Sequence, residues 1–495
     1  MFSPSDTIVA LATAPAPAGI GVVRLSGPGA AAIARGMLTL GRDLVPRHAT
    51  LTHVVARSAP RVWQESHHPH EPHDGTPRPI DEVVATFFPG PHSYTAEDVV
   101  EISAHGSLEL LREIVAAAMS GGARLAEPGE FTLRAFLNGR LDLVQAEAVG
   151  DLVNAVTPLQ ARVAFDQLDG TLSGAIGALD AQLFDLVAKL EASVDFPDEG
   201  YHFVAAGEVE AALVSARDGV AQLLATAARG CLIREGRHIA ILGKPNVGKS
   251  SLFNALVGTD RAIVTAVPGT TRDLLRETID FEGVRLGLVD TAGIRHTDDE
   301  VEREGVARAR GAGGVADLVL LMLDRSRPLA EEDHALLRDT SGGPRLVIVN
   351  KCDLPGAWAG GDALGAWGLG DVPGGPGPAG RVRAGLGVVE VSLKTGDGME
   401  ALRRAMREAL GMAGSSEPLR DAPMVSNLRH AALLEEARAS LGRAITNLRA
   451  FGEQASEELV IADLADARRA FEDATGRRTS EDVLRHIFAN FCIGK

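Results

Sequence analysis

The spacing of apolar residues along the chain changes several times, and each change predicts a different kind of structure. Over residues 1–125, short apolar runs alternate with a helical pattern at Leu108–Met119, which predicts an α/β domain. Strands are expected at Ile8–Leu11, Gly21–Leu25 and Glu82–Phe88. Over residues 126–234 and again over 413–495, apolar residues recur at the spacing of amphipathic helices.

Residues 235–412 show a third pattern, in which apolar strands alternate with helical segments. This alternation predicts a mostly parallel sheet with helices on both faces. The strands are predicted at His238–Leu242, Arg285–Val289, Leu318–Leu323, Leu346–Val349 and Val388–Ser392. The sequence therefore predicts a multidomain chain, α/β and all-α, with this segment inserted into a discontinuous helical domain. Periodicity alone leaves open whether the two helical stretches pack together.

The amino-acid composition is that of an ordinary globular protein, and it bears on the cellular compartment. With 495 residues, 45% of them hydrophobic and 23% charged, the chain is expected to form roughly two to four domains. Because the first basic residue is Arg24, no signal-peptide n-region is visible. The most apolar stretch, Val315–Leu323, is too short to span a membrane, and three cysteines cannot build a disulfide framework. We therefore expect a cytoplasmic protein without membrane contact.

The formal net charge of −17 disfavours non-specific nucleic-acid binding, because phosphate contacts need a positive surface. An RNA substrate would require a local basic patch or a second protein.

Two segments are expected to be loops without chemistry. A Gly- and Pro-rich stretch over residues 355–387 is typical of a flexible insertion. A second tract contains His67, His68, His70 and His73. A solvated loop is the favoured interpretation there, and metal binding is the alternative.

A glycine-rich loop follows the first strand of the inserted segment. The run Gly243-Lys-Pro-Asn-Val-Gly-Lys249-Ser250 lies between a strand and a helix, as a P-loop does. Glycines allow backbone N–H groups to surround phosphates, and the helix N-terminus adds partial positive charge. Lys249 is expected at the β- and γ-phosphates and Ser250 at Mg²⁺. The sequence therefore predicts a P-loop NTPase.

Two later motifs are expected to complete the phosphate side of the site. Asp290 ends a predicted strand, at the sheet edge where ligands bind in such folds, and begins Asp-Thr-Ala-Gly293. Its carboxylate is expected to hold Mg²⁺ through water, and the Gly293 amide to sense the γ-phosphate. Thr271, within Gly269-Thr270-Thr271, is expected to complete the Mg²⁺ shell, with an ordinary turn as the alternative.

Two further motifs indicate guanine. Asn350-Lys351-Cys-Asp353 follows an apolar strand, and its carboxylate can accept two N–H bonds from guanine that adenine does not offer. Ser392-Leu-Lys394 is expected to close over the base. Together the motifs predict a Ras-like G domain that hydrolyses GTP to GDP and phosphate. The predicted nucleotide contacts are Asn246, Val247, Gly248, Lys249, Ser250, Ser251, Thr265, Thr270, Thr271, Asp290, Thr291, Ala292, Gly293, Asn350, Lys351, Asp353, Ser392, Leu393 and Lys394.

The residue after Asp-Thr-Ala-Gly293 is Ile294, where Ras-like enzymes have a glutamine that orients the attacking water. An aliphatic side chain cannot do this. Because an arginine finger contributes about 10³–10⁵ in rate, some cation is expected to act in its place.

Several stretches resemble the MnmE (TrmE) family of tRNA-modification GTPases. In the G domain they are Asn246, the Gly269–Asp273 signature and Ile294. The terminal run is Phe491-Cys-Ile-Gly-Lys495. The N-terminal stretches are Asp6-Thr-Ile-Val-Ala, Gly21-Val-Val-Arg24-Leu-Ser-Gly27, Tyr94-Thr-Ala-Glu97-Asp98, Pro128-Gly-Glu-Phe131 and Ala135-Phe-Leu-Asn138-Gly-Arg140-Leu-Asp142. The resemblance thus extends over nearly the whole chain.

The resemblance implies an N-terminal tetrahydrofolate-binding and dimerisation domain (1–125), a helical domain in two segments (126–234 and 413–495), and a G domain (235–412). It implies a homodimer that forms a heterotetramer with the flavoprotein MnmG, which alone carries FAD. The implied reaction adds a carboxymethylaminomethyl or aminomethyl group to C5 of the wobble uridine of tRNA. A reduced folate, 5,10-methylene- or 5-formyl-tetrahydrofolate, supplies the one-carbon unit.

The resemblance also implies site residues. Potassium in place of an arginine finger would be bound by Asn246, Thr265, Val267 and Thr270, and Glu302 would position the catalytic water. The folate contacts would be Arg24, Glu97, Arg140 and Lys495, although Arg140 stands where many members have lysine. Cys492 is the family's C-terminal cysteine, with a catalytic role and a buried apolar role as alternatives.

Two other functions remain open from the residues alone. One is a ribosome-assembly GTPase, which shares the G motifs but usually carries a basic RNA-binding module. The other is a folate-dependent aminomethyl carrier whose GTPase is only regulatory, which would make the N-terminal domain the active centre.

Overall fold

The computed structural model describes residues 5–14, 17–56, 78–195, 206–259, 261–262, 276–290, 316–341, 343–358, 386–412, 422–451, 457–478, 481–489, 491 and 494. The chain divides into two units, which are described separately. The first unit comprises Met1–Gly150 with Glu472–Lys495, and the second comprises Asp151–Phe471. The predicted His-rich tract and most of the predicted Gly/Pro-rich insertion lie outside the described residues.

Helices in the described chain are α1 (Ala30–Met37), α2 (Leu108–Ser120), α3 (Glu130–Leu137), α4 (Leu143–Asn154), α5 (Pro158–Leu168), α6 (Thr171–Asp195), α7 (Ala206–Ala225), α8 (Ala227–Glu235), α9 (Lys249–Thr259), α10 (Glu331–Asp339), α11 (Met399–Ala409), α12 (Leu428–Phe451), α13 (Glu457–Thr475) and α14 (Glu481–Phe488). The predicted helical stretches are thereby confirmed. None of these described helices is long and apolar enough to cross a membrane.

The first unit contains a six-stranded sheet in the order β3-β4-β5-β2-β1-β6. Its strands are β1 (Ile8–Leu11), β2 (Ala18–Ser26), β3 (Thr50–Ala56), β4 (Arg78–Phe88), β5 (Val99–Gly106) and β6 (Arg124–Leu125). Neighbours pair antiparallel, except that β1 pairs parallel with β6. Alternate residues of β5 are buried, so one face of the sheet packs on α1 and α2. This is the α/β arrangement that the apolar spacing predicts.

A smaller core in the first unit joins α3 to α14. Leu133 of α3 clusters with Leu484 and Phe488 of α14. Gly129, just before α3, has φ +69°, and a Cβ there would lie 2.7 Å from the carbonyl oxygen of Phe488. Only glycine allows this approach.

The second unit contains a seven-stranded sheet in the order β13-β12-β11-β7-β10-β9-β8. Its strands are β7 (Arg237–Gly243), β8 (Arg261–Ala262), β9 (Arg276–Phe281), β10 (Val284–Asp290), β11 (Leu318–Asp324), β12 (Arg345–Asn350) and β13 (Leu386–Glu390). Pairing is parallel from β13 to β10 and antiparallel through β9 to β8. The mostly parallel sheet is thus confirmed.

Three predicted strands have boundaries that differ from the structure by two or more residues. β2 begins at Ala18 instead of Gly21, β4 begins at Arg78 instead of Glu82, and the last strand is shifted as a whole. The last strand was expected at Val388–Ser392, but β13 ends at Glu390. Ser392 is drawn into a turn, because its amide donates to the carbonyl of Asp397 at 2.9 Å and its hydroxyl donates to Asp353 at 2.8 Å.

The two helical stretches of the second unit pack together although the sheet lies between them in sequence. Helix α7 lies against both α6 and α12. Buried leucines lie on the two sides of this contact, among them Leu213 of α7 and Leu434 and Leu441 of α12. Within the second unit, helices before and after the sheet in sequence therefore pack against one another, which amphipathicity alone left open.

Candidate functional site

The P-loop joins the end of β7 to the start of α9. Gly243 has φ +150° and Gly248 has φ +109°, and Asn246 between them is also left-handed at +63°. A Cβ on Gly243 would lie 2.6 Å from the carbonyl oxygen of Met322, and one on Gly248 would clash with the Asn350 side-chain nitrogen. Glycine is therefore required at both ends of the loop by crowding as well as by φ.

Lys249 begins α9 and holds the loop in shape. Its Nζ donates to the carbonyl oxygens of Gly243 and Lys244, both at 2.8 Å. Ser250 and Asn246 are exposed at the loop surface. The arrangement places an ammonium group and a helix N-terminus at one spot, which suits an anionic phosphate.

The neighbouring parallel strands bring the other motifs to the same edge. Asp290 at the end of β10 is paired with Ile241 of β7, and Met322 of β11 is paired with Gly243. Asp324 is in turn paired with Asn350 of β12. The carboxyl ends of these strands therefore lie side by side, as the sequence predicts, and the backbone of Asp290 lies next to the strand that leads into the P-loop.

Asn350 joins three motifs. It is 3% exposed, and its Nδ2 donates to the carbonyl oxygen of Val247 at 2.8 Å. Its Oδ1 accepts from the amide of Leu393 at 3.3 Å. Asn350 thus ties the P-loop to the Ser392–Lys394 loop, a bridging role that its prediction as a nucleotide contact did not include.

Lys351 and Asp353 are each held by a side chain outside their own motif. Lys351 Nζ lies 2.6 Å from Asp324 Oδ2, and Asp353 Oδ1 accepts from the Ser392 hydroxyl at 2.8 Å. Asp324 also accepts from the amide and hydroxyl of Ser326. Burial alone would raise the pKa of Asp324, but the hydrogen bonds from Lys351 and Ser326 outweigh it and lower that pKa. Asp324 therefore holds Lys351 as a carboxylate.

Asp324 was missed from the sequence. A signal existed, because Asp324 ends an apolar strand of a parallel sheet, the edge where ligand-binding residues collect. Nothing local indicated that it pairs with Lys351.

Many predicted site residues lie outside the described part of the chain. They are Thr265, Val267, Thr270, Thr271, Thr291, Ala292, Gly293, Glu302, Cys492 and Lys495, together with Ile294. Their roles therefore stay predictions.

A second cluster, in the first unit, surrounds Arg24 of β2. Its guanidinium pairs with Glu101, with Nε and NH2 at 2.9 and 2.8 Å from Oε1. It also lies over the rings of Tyr94 and Phe131, at 5.0 and 5.7 Å from their centroids. NH1 donates to the carbonyl oxygen of Gly494 at 3.5 Å. The predicted folate residue Arg24 is thus already engaged by a carboxylate and two rings.

Glu97 lies at the border of a buried charge network. Its Oε2 accepts from the Ser26 hydroxyl at 2.7 Å, and both its oxygens lie 3.3 Å from NH1 of Arg134. Arg134 is only 5% exposed and also donates to Asp6 at 2.6 Å and Glu130 at 3.0 Å. Sequence reasoning missed Arg134, whose only signal was a charge within the apolar helix Glu-Phe-Thr-Leu-Arg-Ala-Phe-Leu.

The ionisation of this network follows from its contacts. Burial alone would raise the pKa values of Asp6 and Glu130, but hydrogen bonds from Arg124 and Arg134 outweigh burial and lower both. Hydrogen bonds to Glu130 and Asp6 raise the pKa of Arg124. Two guanidiniums therefore face three carboxylates, counting Glu97, and Glu97 has the longest pairs. Glu97 is therefore the least closely paired carboxylate of the three.

Arg140 is exposed, on the loop after α3. Asn138 in the same loop donates to the carbonyl oxygen of Thr95 at 2.7 Å, and Thr95 Oγ1 lies 2.6 Å from the Ser26 hydroxyl. The loop that carries Arg140 therefore lies beside the loop that carries Glu97. Of the four predicted folate residues, three are described, and the fold places them on neighbouring segments.

A family model described as "MnmE helical domain" matches residues 143–492, and one described as "GTP-binding protein TrmE N-terminus" matches residues 7–140. The chain is 41% identical over 492 residues to a tRNA modification GTPase MnmE of Koribacter versatilis (strain Ellin345), covering 99% of both chains. It is 39% identical over 495 residues to a protein of the same name from Alkaliphilus oremlandii (strain OhILAs), again covering 99% of each.

Among solved structures, the G domain of the T. maritima FeoB iron transporter is 27% identical and covers 35% of this chain and 98% of its own. The TM-score is 0.25, which is too low to support a conclusion.

Proposed function

The chain belongs to the MnmE family of tRNA modification GTPases, and we propose that it is the GTP-hydrolysing subunit of a complex that modifies C5 of the wobble uridine. The added group is a carboxymethylaminomethyl or aminomethyl group. The observation that carries the GTPase part is the Asn350 side chain, which joins the P-loop to both guanine-recognition loops. A site already connected in this way loses little freedom when GTP binds.

The proposed division of work within the G domain follows the contacts. The P-loop amides and Lys249 bind the phosphates, and Asp353, oriented by Ser392, accepts the N–H groups of guanine. Ser250 and Thr271 would supply hydroxyl oxygens to Mg²⁺, and the Asp290 carboxylate would hold the ion through water. Mg²⁺ neutralises charge on the β- and γ-phosphates when bound.

For catalysis we propose potassium in place of an arginine finger. Its ligands would be Asn246, Thr265, Val267 and Thr270, with Glu302 positioning the catalytic water. Support comes from Ile294, which cannot orient water, and from Asn246, which is exposed in the P-loop.

For the first unit we propose reduced-folate binding at Arg24, Glu97, Arg140 and Lys495. The surplus negative charge at Glu97 suits the N–H groups of a pterin ring, and the exposed Arg140 suits a carboxylate tail. Arg24 would contact the folate while its guanidinium stays paired with Glu101. Cys492 stays a candidate for catalysis or for packing.

The domain limits are also proposed: 1–125, 126–234, 235–412 and 413–495. The proposed assembly is a cytoplasmic homodimer that forms a heterotetramer with the flavoprotein MnmG. The net charge of −17 disfavours direct binding of tRNA by this chain. A flavoprotein partner with a basic surface would supply the positive charge that tRNA binding needs.

The deciding experiment is nucleoside analysis of bulk tRNA from cells that lack this protein. We expect the C5-modified wobble uridine to disappear and to return with the wild-type chain. Unchanged wobble uridines would refute the proposal. Complementation with Lys249→Ala decides the carrier alternative, because a regulatory GTPase would leave modification largely intact. Family membership already disfavours a ribosome-assembly GTPase.

A further inference from the structure

Lys244 is the second residue of the P-loop, and its side chain is fixed to a residue outside every nucleotide motif. Its Nζ lies 2.5 Å from Oδ2 of Asp333, which belongs to the first turn of α10. The Asp333 side chain is 3% exposed, whereas that of Lys244 is 22% exposed. A carboxylate this deeply buried is stable as an anion only with a close cationic partner.

One oxygen atom of Asp333, Oδ2, makes two interactions. Its Oδ2 also accepts from the amide of Ala330 at 2.9 Å, which secures the start of α10. Among the described residues, Oδ1 of Asp333 is buried without a hydrogen-bond partner. Lys244 is therefore the one cation that the described residues offer to this carboxylate, which makes the pair hard to separate.

The pair is connected to the phosphate-binding lysine through the backbone. Lys249 Nζ donates to the carbonyl oxygen of Lys244 at 2.8 Å, so Lys244 holds Lys249 with its main chain and Asp333 with its side chain. The far end of the loop has its own anchor, because Asn350 donates to the carbonyl oxygen of Val247. The Asn350 contact lies between two known nucleotide motifs. The Lys244–Asp333 contact does not, because Asp333 belongs to none of them.

We propose that Asp333 is a positioning residue for GTP hydrolysis, which acts through Lys244 to fix the start of the P-loop. The loop binds phosphate through backbone N–H groups, and such donors are effective only when they are held in place beforehand. Loosening the start of the loop weakens the binding of GTP and GDP together, since both use the same amides. The effect appears mainly in KM rather than in kcat.

The test uses full-length variants in steady-state GTPase assays and in titrations with a fluorescent GDP analogue. Lys244→Met removes the cation and leaves the Asp333–Ala330 hydrogen bond in place. Asp333→Asn keeps an acceptor for Ala330 but loses the charge. Both are expected to raise KM for GTP by about tenfold and to weaken GDP binding by a similar factor. Lys244→Arg is expected to recover most of the affinity.

The double variant Lys244→Met/Asp333→Asn distinguishes positioning from a purely structural role. If the two residues act as one unit, the double variant has the same KM as either single variant. Glu331→Gln is the matched control. It removes an exposed charge from the same helix, where Glu331 pairs with Arg338, and it should leave KM unchanged.

The proposal is overturned if Lys244→Met keeps the wild-type KM while Asp333→Asn raises it, since Asp333 would then only cap α10. Additive effects in the double variant would also overturn it. If Asp333→Asn fails to fold, two variants still test the positioning role. These are Lys244→Met and the double variant, and the double variant leaves no unpaired buried charge.

Discussion

The side chain of Asn350 donates a hydrogen bond of 2.8 Å to the backbone carbonyl of Val247, which connects the end of β12, where the predicted guanine motif begins, directly to the P-loop. The two motifs are distant in sequence, so this bond is a tertiary link between the proposed base-binding and phosphate-binding residues. Its loss should therefore affect both.

Asn350→Ala is expected to weaken the binding of GTP and GDP alike by about 1–3 kcal/mol, because it leaves a buried carbonyl without its donor. Titration with fluorescent nucleotides measures this. Asn447→Ala, which removes a side-chain amide bonded to Asp463 in the helical region, is the control and should bind normally. A loss of GTP affinity without loss of GDP affinity would contradict the bridging role.

Asp324→Asn is expected to lower the preference for guanine nucleotides. Lys351 would lose the carboxylate that holds its ammonium at 2.6 Å, next to the motif residue Asp353. We expect about a tenfold loss of GTP affinity, the equivalent of roughly 1.4 kcal/mol. The same variant should still bind inorganic phosphate at the P-loop as the wild type does. Unchanged competition between GTP and ATP would show that Asp324 has no part in base selection.

GTP turnover is expected to be faster in potassium than in sodium by at least about tenfold, because the proposed potassium ion would replace the missing arginine finger. Asn246→Ala should remove most of this difference. Turnover is measured at equal ionic strength in the two salts. Equal rates for the wild type would rule out the potassium proposal while leaving GTP binding untouched.

Reduced folate is expected to bind the first unit, and calorimetry with 5-formyltetrahydrofolate measures it. Glu97→Gln should weaken binding by about tenfold or more, because it replaces the anionic acceptor. Glu109→Gln, which removes an exposed carboxylate of α2 paired with Arg112, is the matched control. A flat titration with the wild type would count against folate binding.

Acid should destabilise the first unit in a pH window set by Asp6 and Glu130. Their folded-state pKa values are lowered, so their stabilising contribution is complete above their ordinary pKa values of about 4 and is lost as pH falls below that. Arg134→Met is expected to cost about 3–5 kcal/mol at pH 7 and to shift acid unfolding to higher pH, because it removes a buried partner of both carboxylates.

Hydrogen exchange at α3, followed between pH 3 and pH 7 or so, reports this change. Arg112→Met, which breaks an exposed pair, should leave the acid transition where it is. If Arg134→Met unfolds at the same pH as the wild type, the network does not stabilise the unit through ionisation.

The parts of the fold that depend on local sequence could be predicted. Strand β1 lies where its apolar run indicates, and the P-loop lies where strand, glycines and helix follow one another. The end of β13 was missed because Ser392 is taken into a turn by a tertiary partner, Asp353. A short apolar run cannot show where pairing stops and such a turn begins.

The parts of the site that depend on long-range pairs could not be predicted. Arg134 and Glu97 are 37 positions apart, and Lys351 and Asp324 are 27 apart. In both pairs one partner belongs to a recognisable motif and the other is a charge in an apolar element. The two partners of each pair come together only through the fold topology. A single sequence therefore shows the motif residue but not the charged residue that pairs with it.

The first unit is built from two stretches of chain, Met1–Gly150 and Glu472–Lys495, with the whole second unit between them. Phe488 packs on Leu133, and Gly494 lies against the carbonyl of Leu11, so late residues complete the packing around early ones. During synthesis the second unit can fold while the first still lacks its last partners. The part of the protein that is made first is therefore completed last, and translation that stops before residue 472 should leave the small α3–α14 core open to proteases.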